Sequence, residues 1–505
     1  MEKVSTTNPS GGSSYGQILK SSSIIGGAQA INYIVGLVRM KVVAVLLGPS
    51  GVGLVGLYVS VVGLVQTFAQ FGINESGVRE VAVAAGAKDE QKIAQMVKTL
   101  RRTCWFTGIL GWVLTVALAW PLSQWVFGST DHVWALAILG SVVLLELVSG
   151  GQKALLQGFR RVGDLARIQI AFALLSTLLA IGIYWWLRED GIVPVIILTS
   201  VVQLGVSWWF ARNVSVSAVT QPWRETWRHS KKLFQLGSAF MYGALLAGIV
   251  GLAIRALIVR DLGIEAAGIY QAAWALSGMF GAFVLQAMGT DFYPKLTAVA
   301  HDDHSVARLV NEQIETGLLL ALPGVLAAIG LASVLVEVFY SSKFEMAAEP
   351  LGWFTFGVLG QIVSWPIGMV LTAKGNATWI YISRTHGAAL HLLLTVILLA
   401  LAGLRGVAWA FAAYVWLQGV VVFAISYRLS RLSLYRGSLR LILIGFLLCL
   451  AGLVAVDCLP RPYGSIGVVF VSMLVALRCI KGLSARVGPH GKLGRLLNRL
   501  SLVIH

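Results

Sequence analysis

The sequence predicts an all-α protein that crosses a membrane many times, with two six-helix lobes of the same sense followed by two further helices. Of its 505 residues, 57% are hydrophobic and only 12% are charged, whereas soluble globular proteins carry roughly 25% charged residues. The apolar residues form long runs, and about 20 of them suffice for a helix to cross a bilayer. A pattern also recurs after about 215 residues, which indicates an internal duplication.

Fourteen apolar runs are candidate spans, and twelve is the alternative if the last two are misread across the segment 457–462. No run shows the short alternating strands of a membrane β-barrel, so each is predicted to be a helix. The spans fall at about 18–47, 50–72, 99–127, 133–157, 165–187, 191–211, 233–259, 264–288, 314–341, 350–372, 379–403, 406–427, 438–456 and 464–480.

These spans define the predicted domains. Spans one to six form the N-terminal lobe (18–211), and spans seven to twelve form the C-terminal lobe (233–427). Between them, residues 212–232 form a cytoplasmic linker with tryptophans among basic residues, which is typical of a helix lying in the inner membrane interface; an ordinary solvated linker is the alternative. The remaining parts are a disordered cytoplasmic tail (1–17), the extra spans (428–482) and a basic cytoplasmic tail (483–505).

The net charge of +17 is a signal of topology and not of nucleic-acid binding. Basic residues concentrate in the loops that stay in the cytoplasm. Most of the 39 Lys and Arg residues fall in the termini and even-numbered loops, so both termini are predicted to be cytoplasmic. The odd-numbered loops hold only Arg188, Arg260, Lys343, Arg405 and Arg461.

The internal repeat is clearest around two Leu-Gly turns. Residues 47–54 resemble residues 262–269, with Leu-Gly, four residues, then Gly and an aliphatic residue in both. Arg39 precedes the first turn and Arg255 precedes the second at nearly the same distance. Because the offset encloses an even number of spans, the two lobes are predicted to be parallel repeats.

Arg39 is the most informative single residue, because a cation at membrane depth costs at least about 2.5–3.5 kcal/mol and usually faces a partner or a watery cavity. On the first span it shares a face with Gln29 and Asn32, at helical spacing. On the second span, Gln66 and Gln70 are amides that lipid would disfavour. These residues are predicted to line a substrate cavity.

The C-terminal lobe carries a matching set. Arg255 ends a stripe of small residues on the seventh span, and Gln271 and Trp274 lie on the eighth. We expect these faces and those of the first lobe to line one central cavity. The alternatives are close helix packing for the small residues and snorkelling to a helix end for Arg255.

Glu146 and Lys153 share a face of the fourth span. Glu146 is either a carboxylate for ion coupling by H⁺ or Na⁺, or a charge partner of Lys153 or Arg39, and we favour the pairing. Arg384 and His386, early in the eleventh span, either add positive charge to the inner mouth of the cavity or belong to the end of a loop.

No constellation of residues predicts catalysis. The sequence has no phosphate-binding Gly-rich loop followed by Lys and Ser or Thr, and therefore no nucleotide motor of that type. Its four cysteines are scattered without metal-ligand spacing. We expect no cofactor and no metal site. The driving force is then an ion gradient, the membrane potential or consumption of the product.

Three stretches, 36–41, 47–58 and 72–80, resemble Wzx-type polysaccharide flippases of the multidrug/oligosaccharidyl-lipid/polysaccharide exporter superfamily. The resemblance implies a MATE-like transporter that moves an undecaprenyl-diphosphate-linked oligosaccharide, such as the O-antigen repeat unit, to the outer leaflet of the bacterial inner membrane. A polysaccharide polymerase and a chain-length regulator are the implied protein partners. Related lipid II flippases are similar in having fourteen spans and a cationic cavity, where an arginine matches Arg39.

The residues agree with this implication, because the planar guanidinium of arginine suits an anionic diphosphate. The alternatives within the superfamily are a cation-coupled multidrug exporter and a lipid II flippase. A membrane glycosyltransferase or O-antigen polymerase is disfavoured, since these usually need a large extramembrane loop and a catalytic acid/base pair.

Overall fold

The computed structural model describes residues 12–86, 89–214, 219–460 and 462–487. Within these ranges the chain forms thirteen α-helices and two short 3₁₀ helices, and no β-strand. The predicted all-α fold class is therefore confirmed. Residues 1–11 and 488–505, which include most of the two predicted terminal tails, lie outside the described residues.

The helices follow the predicted order of spans, with some joined end to end. The 3₁₀ helices are Arg188–Gly191 and Ser342–Ala347. The α-helices are α1 (Gly12–Gln70), α2 (Ile73–Gly86), α3 (Glu90–Phe127), α4 (Val133–Gly158), α5 (Val162–Leu187), α6 (Ile192–Ala211), α7 (Trp223–Ala298), α8 (Asp303–Gly330), α9 (Ala332–Phe339), α10 (Ala348–Ala373), α11 (Ala377–Ser430), α12 (Arg436–Cys458) and α13 (Tyr463–Val487).

Ten helical stretches of the described residues are long and apolar enough to cross a membrane, so the chain is a multi-pass membrane protein. Four of them have 44, 50, 46 and 54 residues. At about 1.5 Å per residue, 44 residues span about 66 Å, twice the roughly 30 Å hydrocarbon core. Each of the four therefore supplies two crossings, which gives the fourteen predicted spans. These four stretches are Gly27–Gln70, Val162–Ala211, Met241–Gln286 and Ala377–Ser430.

Each double-length stretch is interrupted once by a residue with positive φ. Gly48 (φ 68°, ψ −172°) breaks α1, and Gly263 (φ 88°, ψ 172°) breaks α7. Glycine adopts this conformation without the steric penalty that a Cβ would bring. Pro49 then starts the second half of α1, where its missing N–H removes no helical hydrogen bond. The predicted turn at 48–51 is therefore a sharp kink within a continuing helix.

The backbone repeats with the offset that the sequence predicts. Gly48 and Gly263 are one pair at this spacing, and their dihedral angles nearly coincide. Arg188 (φ 51°, ψ −126°) and Gly403 (φ 58°, ψ −137°) are a second pair at the same spacing. The kinks thus occur in the same chain order in both halves, as parallel repeats require. Two further pairs share the offset, namely Arg160 with Gly375 in positive φ and His132 with Ala347 at helix N-caps.

The described chain divides into two compact units. Among the described residues, the first contains residues 12–47 and Leu57–Gly248, and the second contains Gly48–Gly56 and residues 249–487. The predicted linker 212–232 is partly helical, because α7 begins at Trp223 and continues through the boundary. In the first unit, Arg102 on α3 donates to the Gln221 carbonyl oxygen at 2.8 Å and to Thr226 Oγ1 at 2.9 Å, which fixes the start of α7.

Several boundaries differ from the sequence predictions by nine residues or more, among them the starts of α3, of α7 at Trp223 and of α8 at Asp303. The third helix begins at Glu90, about nine residues before the predicted start, because Asp89 caps it by accepting a hydrogen bond from the Lys92 backbone N–H. That hydrogen bond, the largest of several effects, lowers the pKa of Asp89. The predicted ninth span, 314–341, is divided at Leu331 between α8 and α9.

Candidate functional site

Arg39 lies on α1, half-buried and within a membrane-spanning stretch. Its nearest electrostatic partner is the hydroxyl of Tyr184 on α5, whose side chain is almost completely buried. Among the described residues, no carboxylate forms an ion pair with Arg39. The first unit therefore holds a cation at membrane depth beside a neutral phenol, so its charge is available to a ligand.

Four predicted amides accompany Arg39 along α1. Gln29 and Asn32 precede the Gly48 kink, and Gln66 and Gln70 follow it. All four side chains are half-buried, so each keeps part of its polar surface accessible. They remain predictions as ligands for sugar hydroxyls.

Arg255 is held by two of its own helix's residues in the second unit. Its Nε and one terminal nitrogen both donate to Gln271 Oε1, at 3.2 and 2.9 Å, and the other terminal nitrogen donates to the Gly251 carbonyl oxygen at 2.9 Å. The kink at Gly263 allows residue 271 to approach residue 255. The side chain of Arg255 is therefore tied to Gln271 and Gly251.

In this arrangement the charge of Arg255 has no acidic partner among the described residues, and only some of its N–H donors form hydrogen bonds. The guanidinium carries five N–H donors, and three are occupied by the bonds to Gln271 and Gly251. Its central carbon also lies 5.3 Å from the centroid of the Tyr270 ring, a favourable cation–π position. All these partners are neutral. Arg255 is thus oriented by the protein while two donors remain without a partner among the described residues.

Gly56 makes room for this cluster within the second unit. A Cβ at position 56 would lie 3.0 Å from both Cγ and Oε1 of Gln271, closer than ordinary contacts. The small residue therefore permits the amide to sit where Arg255 needs it. Gly56 therefore has a specific structural role beside the Arg255 cluster.

Trp274 packs against Tyr270, the aromatic neighbour of Arg255. Its ring stacks on Tyr270, with centroids 5.9 Å apart, and meets Phe354 and Phe411 edge-on at 5.4 and 5.0 Å. Such edge-on aromatic pairs are favourable. Trp274 therefore holds Tyr270 in position under Arg255 through an aromatic cluster that sequence periodicity did not reveal.

Glu146 and Lys153 interact electrostatically on one face of α4. Lys153 also lines a cavity of about 410 Å³ with Asn74 and Glu75 of α2. The first unit thus places Glu146 near Lys153, in keeping with the favoured pairing. The ion-coupling alternative stays open.

A double variant separates these two roles of Glu146. Removing one partner of a buried ion pair costs about 3–5 kcal/mol, and a half-buried pair costs less. If the residues pair, Glu146→Gln and Lys153→Met each lower the unfolding temperature of the purified protein, and the double variant recovers part of the loss. Transport of the double variant then also exceeds that of either single variant. A double variant with no more transport than Glu146→Gln would contradict pairing and support ion coupling.

The second unit contains a polar cavity of about 290 Å³. The sequence around its individual lining residues did not predict this cavity. The repeat offset was the signal that could have found it. Four residues of α4 line the 410 Å³ cavity of the first unit, and the four residues of α10 at the same offset line this one. These pairs are Gly150 with Trp365, Lys153 with Gly368, Ala154 with Met369, and Gln157 with Thr372.

Comparison with known families gives one match over more than half of the chain. A family model described as "Polysaccharide biosynthesis protein" matches residues 42–349. The matched segment includes Arg255 and the Gly48 and Gly263 kinks. No curated protein sequence matches the chain.

Solved structures of membrane transporters share the fold. An inward closed lipid II flippase MurJ is 15% identical, with a TM-score of 0.69, and the match covers 92% of this chain and 99% of that one. An inward-facing multidrug resistance MATE transporter is 17% identical, with a TM-score of 0.60 and coverage of 79% and 95%. A transporter from Pyrococcus furiosus, described as having a binding pocket of reversed polarity, is 14% identical, with a TM-score of 0.58 and coverage of 82% and 96%.

Proposed function

Because the chain belongs to the polysaccharide biosynthesis protein family, we propose that it is a flippase for an undecaprenyl-diphosphate-linked oligosaccharide. The cargo is the repeat unit of O-antigen or of another surface polysaccharide, moved from the cytoplasmic to the outer leaflet of the bacterial inner membrane. The chain acts as a transporter by alternating access, with both termini in the cytoplasm. A polysaccharide polymerase and a chain-length regulator are its proposed protein partners.

The observation that supports this proposal most is that Arg255 is oriented by hydrogen bonds but has no acidic partner among the described residues. A diphosphate needs charge and several N–H donors, and arginine supplies both in a planar fork. Arg255 is oriented by Gln271 and is surrounded by neutral groups, so it keeps its charge within a membrane-spanning stretch. Arg39 supplies a second cation under similar conditions in the first unit. An exporter of cationic drugs would be served by embedded carboxylates instead.

The bound substrate divides naturally between protein and lipid. The diphosphate meets the arginines, the sugars meet the amides and hydroxyls of the helices, and the apolar chain remains in the bilayer. Outward movement then draws on an ion gradient, the membrane potential or consumption of the product by polymerisation. Glu146 is the candidate residue if an ion is coupled.

Complementation tests the proposal and its alternatives together. The chain is expressed in a strain that lacks its polysaccharide flippase, and surface glycan and accumulated lipid-linked oligosaccharide are measured. Restored glycan with loss of the accumulated intermediate supports the proposal. Growth of a strain depleted of its lipid II flippase, without restored glycan, would identify a lipid II flippase. Ethidium efflux without either rescue would identify a multidrug exporter.

A further inference from the structure

We propose that the 290 Å³ cavity of the second unit binds one sugar ring of the lipid-linked oligosaccharide, an inference that rests on the proposed function. The cavity is enclosed by residues of α7, α10 and both halves of α11. Its volume lies at the lower end of the roughly 300–1,000 Å³ of small-molecule sites, which suits a single ring. The lining residues that carry the argument are Gln361, Ser364, Trp365, Ser383, Tyr414 and Gln418.

Gln418 is fixed in one orientation at the wall of the cavity. Its Nε2 donates to the carbonyl oxygen of Ser383 at 2.9 Å and to the Ser383 hydroxyl at 3.1 Å. Its Oε1 lies 2.8 Å from Nδ1 of His386. Since Oε1 has no proton to donate, Nδ1 of His386 carries the proton. A polar wall held by three hydrogen bonds is preorganised for a polar ligand.

Other polar groups remain open to a ligand. The side-chain amide of Gln361 has no hydrogen-bond partner among the described residues. The Ser364 hydroxyl donates only a long bond, 3.4 Å, to the Gln361 carbonyl oxygen and keeps its acceptor sites. Amides and hydroxyls both donate and accept, which matches the hydroxyl groups of a sugar. The aromatic rings of Trp365 and Tyr414 supply apolar surface beside them.

The charge of this cavity favours a sugar over a phosphate. Arg384 is the one cationic residue that lines it, and this side chain is exposed and within electrostatic reach of Tyr414. A phosphate site would favour several charged donors that converge on one point. The described lining is dominated by neutral groups. The sugar therefore lies here, and the diphosphate is left to Arg255 and Arg39.

The duplication shows how the two units diverged. At the repeat offset, the positions of Glu146 and Lys153 on α4 correspond to Gln361 and Gly368 on α10. The exchange of Glu for Gln keeps the size and removes the charge, and the exchange of Lys for Gly removes a charge and opens space. The same helix face thus carries two opposite charges in the first unit and neutral residues that line the cavity in the second.

Binding of two defined lipids to the full chain in nanodiscs tests the inference. The probes are undecaprenyl diphosphate and undecaprenyl-diphosphate-linked N-acetylglucosamine, measured by native mass spectrometry. A net hydrogen bond contributes about 0.5–1.5 kcal/mol, so two or three of them give an expected preference of about tenfold or more for the sugar-bearing probe.

Two variants remove this preference without affecting the bare lipid. Gln361→Ala deletes the open amide, and Gly368→Leu fills the cavity from a position where an added Cβ meets only Val422, at 3.8 Å. Gln313→Ala, a glutamine outside the cavity, is the matched control and retains the preference. Thermal unfolding of each variant verifies that it is folded.

The outcomes distinguish this inference from the proposed function. Equal binding of both probes by the unmodified chain, or an unchanged preference in Gln361→Ala and Gly368→Leu, would overturn the sugar site and leave diphosphate recognition standing. Arg255→Ala is expected to weaken both probes alike. If the unmodified chain bound neither probe, the proposed function would fail and this inference with it.

Discussion

Arg255→Ala is expected to reduce surface glycan by roughly 100-fold or more in the complementation assay, at an expression level equal to that of the unmodified chain. Hydrogen bonds to a charged group contribute about 1.5–3 kcal/mol each, and a tenfold effect corresponds to 1.4 kcal/mol. The variant removes the two donors that are not occupied within the protein, together with the charge. Lipid-linked oligosaccharide is expected to accumulate in parallel.

Three matched variants define what Arg255 contributes. Arg255→Lys keeps the charge but cannot reach Gln271 Oε1 with two N–H groups, so we expect partial activity. Gln271→Ala keeps the charge and loses the orientation, and a smaller reduction is expected. Arg167→Ala, an exposed arginine on α5 paired only with Asp164, serves as the control and should behave like the unmodified chain. Full glycan in Arg255→Ala would contradict a role for this cation in transport.

Arg39→Ala is also expected to reduce surface glycan, for a reason related to that for Arg255→Ala. Arg39 also lies within a membrane-spanning stretch beside a buried tyrosine, although its neighbour is a phenol and not an orienting amide. The sequence identified both arginines because a charged residue within an apolar run can be recognised without a structure. It did not predict Tyr184 or Tyr270 as neighbours, since these contacts join residues of different helices or of different parts of a kinked one.

Local patterns predicted the helices and the repeat, whereas tertiary contacts needed the structure. The lengths of the apolar runs predicted the individual spans, whereas their joining end to end at Gly48, Gly263 and Gly403 is seen only in the structure. The meeting of Arg255 with Gln271 depends on how far α7 bends at Gly263, which no local pattern reports. Trp274 was predicted to line a cavity, but periodicity gives only the face of a helix and not the aromatic neighbours that it meets there.

The polar cavity of the second unit is a further feature that local sequence patterns could not predict. Gln361, Ser383 and Gln418 lie on separate helical segments, and each alone resembles an ordinary polar residue within an apolar run. Only packing brings them to one cavity. Comparison of the two repeats position by position would have drawn attention to the face of α10, because the corresponding face of α4 carries Glu146 and Lys153.

Gly268→Ala is expected to destabilise the described part of the second unit strongly. A Cβ at position 268 would overlap the carbonyl oxygen of Pro49 and lie 2.6 Å from its carbonyl carbon. Gly53 is placed reciprocally, since its Cβ would overlap the Ile264 carbonyl oxygen and lie 2.8 Å from the Gly268 nitrogen. These are backbone atoms, so no side chain can move aside to relieve the overlap.

The expected cost is at or above the 1–3 kcal/mol typical of overpacking. Thermal unfolding of the purified protein in detergent measures it, and loss of surface glycan should accompany it. Gly467→Ala is the control, because an added Cβ there meets no atom within 4 Å and alanine favours the helix by about 0.5–1 kcal/mol. Equal unfolding temperatures for Gly268→Ala and Gly467→Ala would contradict the close backbone contact.

The contact also explains why the sequence shows one pattern twice. The Leu-Gly pattern places a glycine at the kink and a second glycine five residues later, at Gly53 in the first copy and Gly268 in the second. The kink glycine turns the helix, and the second glycine lets the two copies approach backbone to backbone. Each copy needs the other's glycine for the approach, so we expect Gly53→Ala to destabilise the protein nearly as much as Gly268→Ala. Because both changes disrupt one contact, their effects on the free energy of unfolding should be less than additive in the double variant.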